Sequence, residues 1–151
     1  MIFIPSKETG IIPAILTQIL DACVNGVTFS DPDVEDMPLV YANRAFEDMT
    51  GYTQEEIIGR NCRFLQGPDR DQEGRYEIHK ALASKGPVVA DLRNYRKTGE
   101  LFYNHLNITP LFDREGKVIY FLGVQYDVTR QVLAEEEIER LKSRLVNVLP
   151  G

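Results

Sequence analysis

A chain of 151 residues with 43% hydrophobic side chains has enough apolar material for one compact domain with a helical extension at either end, and disorder is not its default. Its net charge of -6 argues against a nucleic-acid or anionic-membrane surface as its main partner. There is no bilayer-length apolar run and no leader-like opening segment, so a cytoplasmic protein is expected; two cysteines without a C-x-x-C pair argue against a disulfide scaffold or structural zinc.

Residues 1–10 are polar, end at Gly10 and read as a lead-in. From Ile12 the apolar residues Ile12, Ile15, Leu16, Ile19, Leu20 and Cys23 form the stripe of an amphipathic helix, with Pro13 tolerable in its first turn. Cys23 lies on that stripe and reads as a packing residue. Two short strands, Val27–Ser30 and Leu39–Tyr41, follow on either side of the turn-rich Asp31-Pro32-Asp33. Residues 42–58 read as short helices broken at Gly51 and Gly59, and Arg70 to Ser84 as a longer helix ending near Gly86-Pro87. Three strands, about Val88–Tyr95, Leu101–Leu111 and Val118–Asp127, are joined by turns at Lys97-Thr98-Gly99 and Asp113-Arg114-Glu115-Gly116. Two strands, several helices and three antiparallel strands make an α+β fold.

After Thr129 a polar helix is expected. Ala134, Ile138, Leu141, Leu145 and Val148 recur at heptad spacing, with acidic residues early and basic ones late. About two heptads are present. Pairing with a second copy is the expectation, and the bland alternative is a helix folded back on its own sheet.

Alternation along the last three strands carries the chemistry. Val88, Ala90 and Leu92 share a face with Asn94; Phe102, Leu106 and Ile108 share one with Asn104; Ile119, Phe121 and Gly123 share one with Gln125. Each strand thus points one carboxamide into an apolar surface. A buried amide without a partner costs roughly 1–3 kcal/mol, so three need partners. They can bond one another or the backbone. They can also bond a planar heterocycle whose edge alternates carbonyl and N–H groups, and Gly123 would let a flat ring lie close to the sheet.

The run Gly59-Arg60-Asn61-Cys62-Arg63-Phe64-Leu65-Gln66-Gly67 sets a lone cysteine in a short helical turn between glycines. No histidine stands near it in sequence to act as a base, which weakens a hydrolase reading. By itself Cys62 reads as an inert buried thiol. The nine-residue run, however, strongly resembles the flavin-binding core of the LOV (light-oxygen-voltage) branch of PAS domains. The resemblance extends from about Gly26 to Thr129 and includes Asn43 with Phe46, Thr50-Gly51-Tyr52, Arg93-Asn94-Tyr95, Phe102-Tyr103-Asn104 and Gly123-Val124-Gln125.

The resemblance implies a PAS fold, a five-stranded antiparallel sheet with helices on one face, spanning 26–128, with flanking helical segments at 1–25 and 129–151. It implies bound FMN, with FAD or riboflavin as the alternatives. Cys62 matches the photoactive cysteine, which bonds reversibly to flavin carbon C4a under blue light. Asn61, Arg63, Gln66, Asn94, Asn104 and Gln125 match flavin-contacting positions, with Asn94 and Asn104 on the pyrimidine edge and Arg63 on the phosphate. The family's second phosphate-holding arginine corresponds here to His79, and Arg70 and Arg75 on the same segment are its candidate replacements. Gln125 would reorient when the flavin changes its hydrogen bonding and pass the change to the helix after Asp127-Val128-Thr129. The protein implied is a photoreceptor and not an enzyme, a homodimer through its flanking helices, with no nucleic-acid or membrane partner. The alternative is a PAS module for dimerisation or partner docking without photochemistry.

Overall fold

The structure is a computed structural model in which residues 14–148 are described. The lead-in 1–10, Ile12 and Pro13, the Ile15 side chain and the last three residues fall outside the described residues. Helix α1 (Ala14–Asp21) leads into β1 (Gly26–Ser30) and β2 (Leu39–Ala42). Helices α2 (Arg44–Thr50) and α3 (Gln54–Ile57) follow, then a 3-10 turn (Cys62–Gln66) and α4 (Glu73–Ala83). Strands β3 (Val88–Tyr95), β4 (Leu101–Phe112) and β5 (Val118–Asp127) precede α5 (Thr129–Val148). The sheet is five-stranded and antiparallel in the order β2-β1-β5-β4-β3, so the fold is α+β with a C-terminal helix.

The first and last strands lie side by side, and Gly26 of β1 faces Gln125 of β5 in register. Leu39, Ala42, Phe46, Ile57 and Leu65 are buried together where α2, α3 and the 3-10 turn cover the β2 edge. Burying a side chain the size of Phe46 stabilises the fold by about 1.5–3 kcal/mol. The short helices are fixed at their ends. Asn43 caps α2, its Oδ1 accepting from Phe46 N and from Val27 N, while its Nδ2 donates to Leu20 O and Asn25 O. One buried amide therefore joins α1, β1 and α2. Gly51 ends α2 at φ 80, and Thr53 with Glu56 forms a reciprocal cap on α3.

Three expectations change. The long helix begins at Glu73 rather than Arg70, because the residues before it are recruited by β3. Asp69 accepts from the Arg93 guanidinium at 2.8 Å and from Tyr95 Oη at 2.7 Å. Gln72 is used as well: its Nε2 donates to Arg93 O at 2.9 Å and its Oε1 accepts from Arg93 N at 2.7 Å. That amide pairs a peptide on the free side of edge strand β3.

Cys23 lies beyond α1 and is exposed, its Sγ donating only to Ile19 O, so it is not the packing residue its spacing suggests. Leu16 and Ile19 on the same stripe are also exposed. Finally, α5 does not fold back on the sheet, since it buries no residue, and Ile138, Leu141, Leu145 and Val148 are each at least half exposed.

Candidate functional site

A cavity of about 340 Å³ separates the sheet from the 3-10 turn and α4. Strand alternation on the sheet beneath it holds as expected: Asn94, Asn104 and Gln125 are all buried, with Ala90, Leu92, Phe102, Leu106 and Phe121 on the same faces. Asn61, Cys62, Arg63, Gln66, Arg70, Arg75, His79, Asn94 and Gln125 line the cavity. Asn104 does not. It lies beside Asn94, and its Nδ2 donates to Asn94 Oδ1 at 3.0 Å.

The turn carrying Cys62 is set by its neighbours. Asn61 caps it, Oδ1 accepting from Arg63 N at 3.0 Å, and Gly67 closes it at φ 55. Arg60 O accepts from Leu39 N and Gly59 N donates to Leu39 O, which ties the segment to β2. Cys62 is intermediate in exposure and packs against the Leu39–Phe46–Ile57 cluster. Burial pushes its thiol from the ordinary 9.0 up to about 11, so it is a protonated S–H at neutral pH. A thiol of that kind is a poor pre-ionised nucleophile and carries its proton at neutral pH.

The carboxamides satisfy one another only in part. Asn94 Nδ2 donates to Arg93 O, Asn104 Nδ2 to Asn94 Oδ1, and Gln125 Nε2 to Thr28 Oγ1 at 3.1 Å. Asn104 Oδ1, Gln125 Oε1 and Gln66 Oε1 are buried without a donor, and Arg70 Nε is buried without an acceptor. Each such group costs roughly 1–3 kcal/mol. Four orphans of both kinds, three of them on residues lining the cavity, fit a ligand that donates and accepts along its edge and carries an anion. A flavin nucleotide has that pattern. No cluster of metal-ligating side chains occurs among the described residues.

Gly123 lines the cavity, and its missing side chain has a second use. A Cβ there would stand 2.7 Å from Thr28 Oγ1 and 2.9 Å from Gln125 Nε2, so glycine leaves room for that hydrogen bond. Thr28, buried beside Gln125, is a site residue the strand reading missed, although it shares a face with Gly26 and Ser30 by the same alternation.

Arg63, Arg70, Arg75 and His79 line the cavity, and among the described residues no acidic side chain does. Arg70 precedes α4, Arg75 lies on it half-buried, and His79 is exposed one turn later. Arg63 bonds Asp36 in this structure, Nη2 to Oδ2 at 2.5 Å.

Comparison with known proteins adds the following. A family model described as PAS domain matches residues 24–130. The chain is 43% identical over 119 residues to "Blue-light-activated histidine kinase 1" of Erythrobacter litoralis, covering 79% of this chain and 33% of that protein. It is 40% identical over 126 residues to "Blue-light photoreceptor" of Listeria innocua, covering 83% of this chain and 49% of that one. The chain therefore spans a third to a half of the length of these relatives. A solved structure described as an RNA-binding Light-Oxygen-Voltage receptor superposes with TM-score 0.80 at 36% identity, over 97% of this chain and 42% of that one.

Proposed function

Since the chain belongs to the PAS domain family, in its light-oxygen-voltage branch, we propose that it senses blue light through a bound flavin to which Cys62 bonds reversibly. The observation that carries this reading is a protonated thiol on the wall of a cavity whose other walls hold unpartnered carboxamide oxygens. When bound, the flavin supplies absorption of blue light, a ring carbon, C4a, that accepts a sulfur, and an adjacent nitrogen, N5, that accepts a proton.

Cys62 would furnish both the sulfur and the proton, its S–H bond giving way as Sγ bonds to carbon. Return of the proton and sulfur in darkness would leave nothing consumed, so the proposed role is that of a sensor and not an enzyme. Burial raises the thiol pKa to about 11, so the proton rests on sulfur across the neutral range. Asn94 and Asn104 serve as an amide pair toward the ring's edge, with Asn94 at the cavity and Asn104 orienting it. Gln66 and Asn61 bound the cavity on the side of the turn. Three guanidiniums on the cavity lining favour a phosphorylated flavin, hence FMN over riboflavin, with His79 a lesser contributor to the clamp.

Gln125 is the residue that reports the change. A ring nitrogen that gained a proton would turn from acceptor to donor, and the Gln125 carboxamide could meet it by exchanging Nε2 for Oε1. Thr28 suits either orientation, because its hydroxyl accepts from Nε2 and can donate to Oε1. Two residues on, Asp127 Oδ1 accepts from Thr129 N, and Thr129 Oγ1 accepts from Tyr103 N, so the start of α5 is bonded to β4 within reach of that switch. The exposed apolar stripe of α5 supports homodimer formation, and also a second reading as a dimerisation or docking module without photochemistry. A net charge of -6 supports the absence of a nucleic-acid partner, and no helix among the described residues is long and apolar enough to cross a membrane.

The test is optical. The purified chain should be yellow, lose its visible band under blue light and regain it in darkness, and Cys62→Ala should bind flavin yet stay unbleached. A protein that remains colourless after incubation with FMN and riboflavin would falsify the reading. Bound flavin with no bleaching in the wild type would favour the docking module.

A further inference from the structure

Of the cations around the cavity, one is treated differently from the rest. Among the described residues Arg70 and Arg75 have no carboxylate partner: Arg70 Nε is buried without an acceptor, and Arg75 reaches only Arg70 O, at 3.4 Å, and the Tyr76 ring. Arg63 alone is met by an acid, Asp36, on the loop between β1 and β2.

The loop backbone, and not the ion pair, puts that carboxylate there. Asp36 and Met37 both lie in the left-handed region, at φ 66 and 45, which residues with a Cβ seldom occupy. Asn61 Nδ2 donates to Asp36 O at 2.7 Å, Met37 N donates to Val34 O at 3.0 Å, and Met37 itself lines the cavity. The same Asn61 side chain caps the turn that presents Arg63. One amide thereby fixes both partners, and the carboxylate is held at the guanidinium with little ordering left to do.

Resting on the flavin reading above, we propose that Asp36 sets the preference of this cavity for a phosphorylated over an unphosphorylated flavin, by occupying Arg63 in place of the phosphate. A phosphate arriving at Arg63 meets both a competitor for its N–H groups and a like charge. Discrimination then falls mainly to Arg70 and Arg75, and removing the carboxylate releases Arg63 to contribute fully.

The experiment measures dissociation constants of FMN and of riboflavin for the flavin-free full chain by fluorescence titration. The proteins compared are wild type, Asp36→Asn, Arg63→Gln and the double variant. Asparagine tolerates the left-handed backbone, and Asp36→Gly, which removes the carboxylate without any strain at that φ, is the control for folding. Asp36→Asn and Asp36→Gly should each raise the FMN-to-riboflavin affinity ratio about threefold to tenfold, leave riboflavin binding unchanged, and lose that advantage as salt is added. Arg63→Gln should lower the ratio more in the Asp36→Asn background than in the wild type. A ratio that is unchanged or falls in both Asp36 variants overturns the proposal, the fall meaning that Asp36 orients Arg63 for phosphate. If the wild type binds neither flavin, the flavin reading fails and this proposal goes with it.

Discussion

Two cysteines in one small protein make a clean internal comparison. Cys23 is exposed, whereas Cys62 is half-buried and the desolvation of its thiol raises its pKa from 9.0 to about 11. Alkylation of the native chain near pH 8, followed by mass spectrometry, should label Cys23 first, and labelling of Cys62 should climb only as pH approaches 11. Early modification of Cys62 near neutrality would contradict the buried, protonated thiol. The sign of the linkage is that of a raised folded-state pKa: the contribution is complete below about 9 and disappears as pH rises through about 11. At this scale the inward amides were legible in the sequence, because strand alternation is a local signal that survives folding. Asp36 on Arg63 was not. The two stand 27 residues apart and meet only because Asn61 bonds a loop whose left-handed turn no spacing announces.

Among the elements, the lead into α4 depends on one carboxylate. Asp69 takes hydrogen bonds from Arg93 and Tyr95, and the Arg93 guanidinium, then the Tyr95 hydroxyl, hold its pKa down to about 2. A lowered pKa contributes stability that is present above about 3.8 and is lost as pH falls toward 2. Protection factors against hydrogen exchange in residues 67–73 should hold down to about pH 4 and fall below it, and Asp69→Asn should show the lower protection already at pH 7. Equal protection in the variant and the wild type at pH 7 would remove Asp69 from this role. The same contacts explain why helical periodicity from Arg70 misled. Tertiary bonds from Asp69 and Gln72 to β3 outweigh the local propensity, and Gly74 lets α4 approach, since a Cβ there would lie 2.3 Å from Asp91 O. Arg96 makes a comparable junction on the other side, joining Asp127 before α5, Glu100 in the hairpin and Met49 O at the end of α2, over the Phe102 ring.

For the molecule as a whole, the open question of shape lies in α5. Its twenty residues bury none of their side chains, though Ile138, Leu141 and Leu145 repeat at spacings suited to a second helix. Light scattering should give a mass near twice 17.2 kDa, and Leu141→Glu with Leu145→Glu should return it to 17.2 kDa without altering the visible spectrum. A wild-type monomer in darkness and in light alike would rule out pairing through this helix. The heptad spacing was legible from sequence; its exposure was not, because that depends on the angle at which the helix departs after Asp127.

Because Gly26 lies opposite Gln125, the place where the chain enters the sheet from α1 is also the place where it leaves toward α5. The two helical levers share a fulcrum. Gln125 Oε1 would lie 3.3 Å from a Cβ at Gly26, and Asn43, which takes its hydrogen bond from the next residue, Val27, also grips the last turn of α1. The side chain of Gln125 therefore stands next to both the first and the last residues of the sheet, so a change in its packing bears on the entry from α1 and the exit to α5 together.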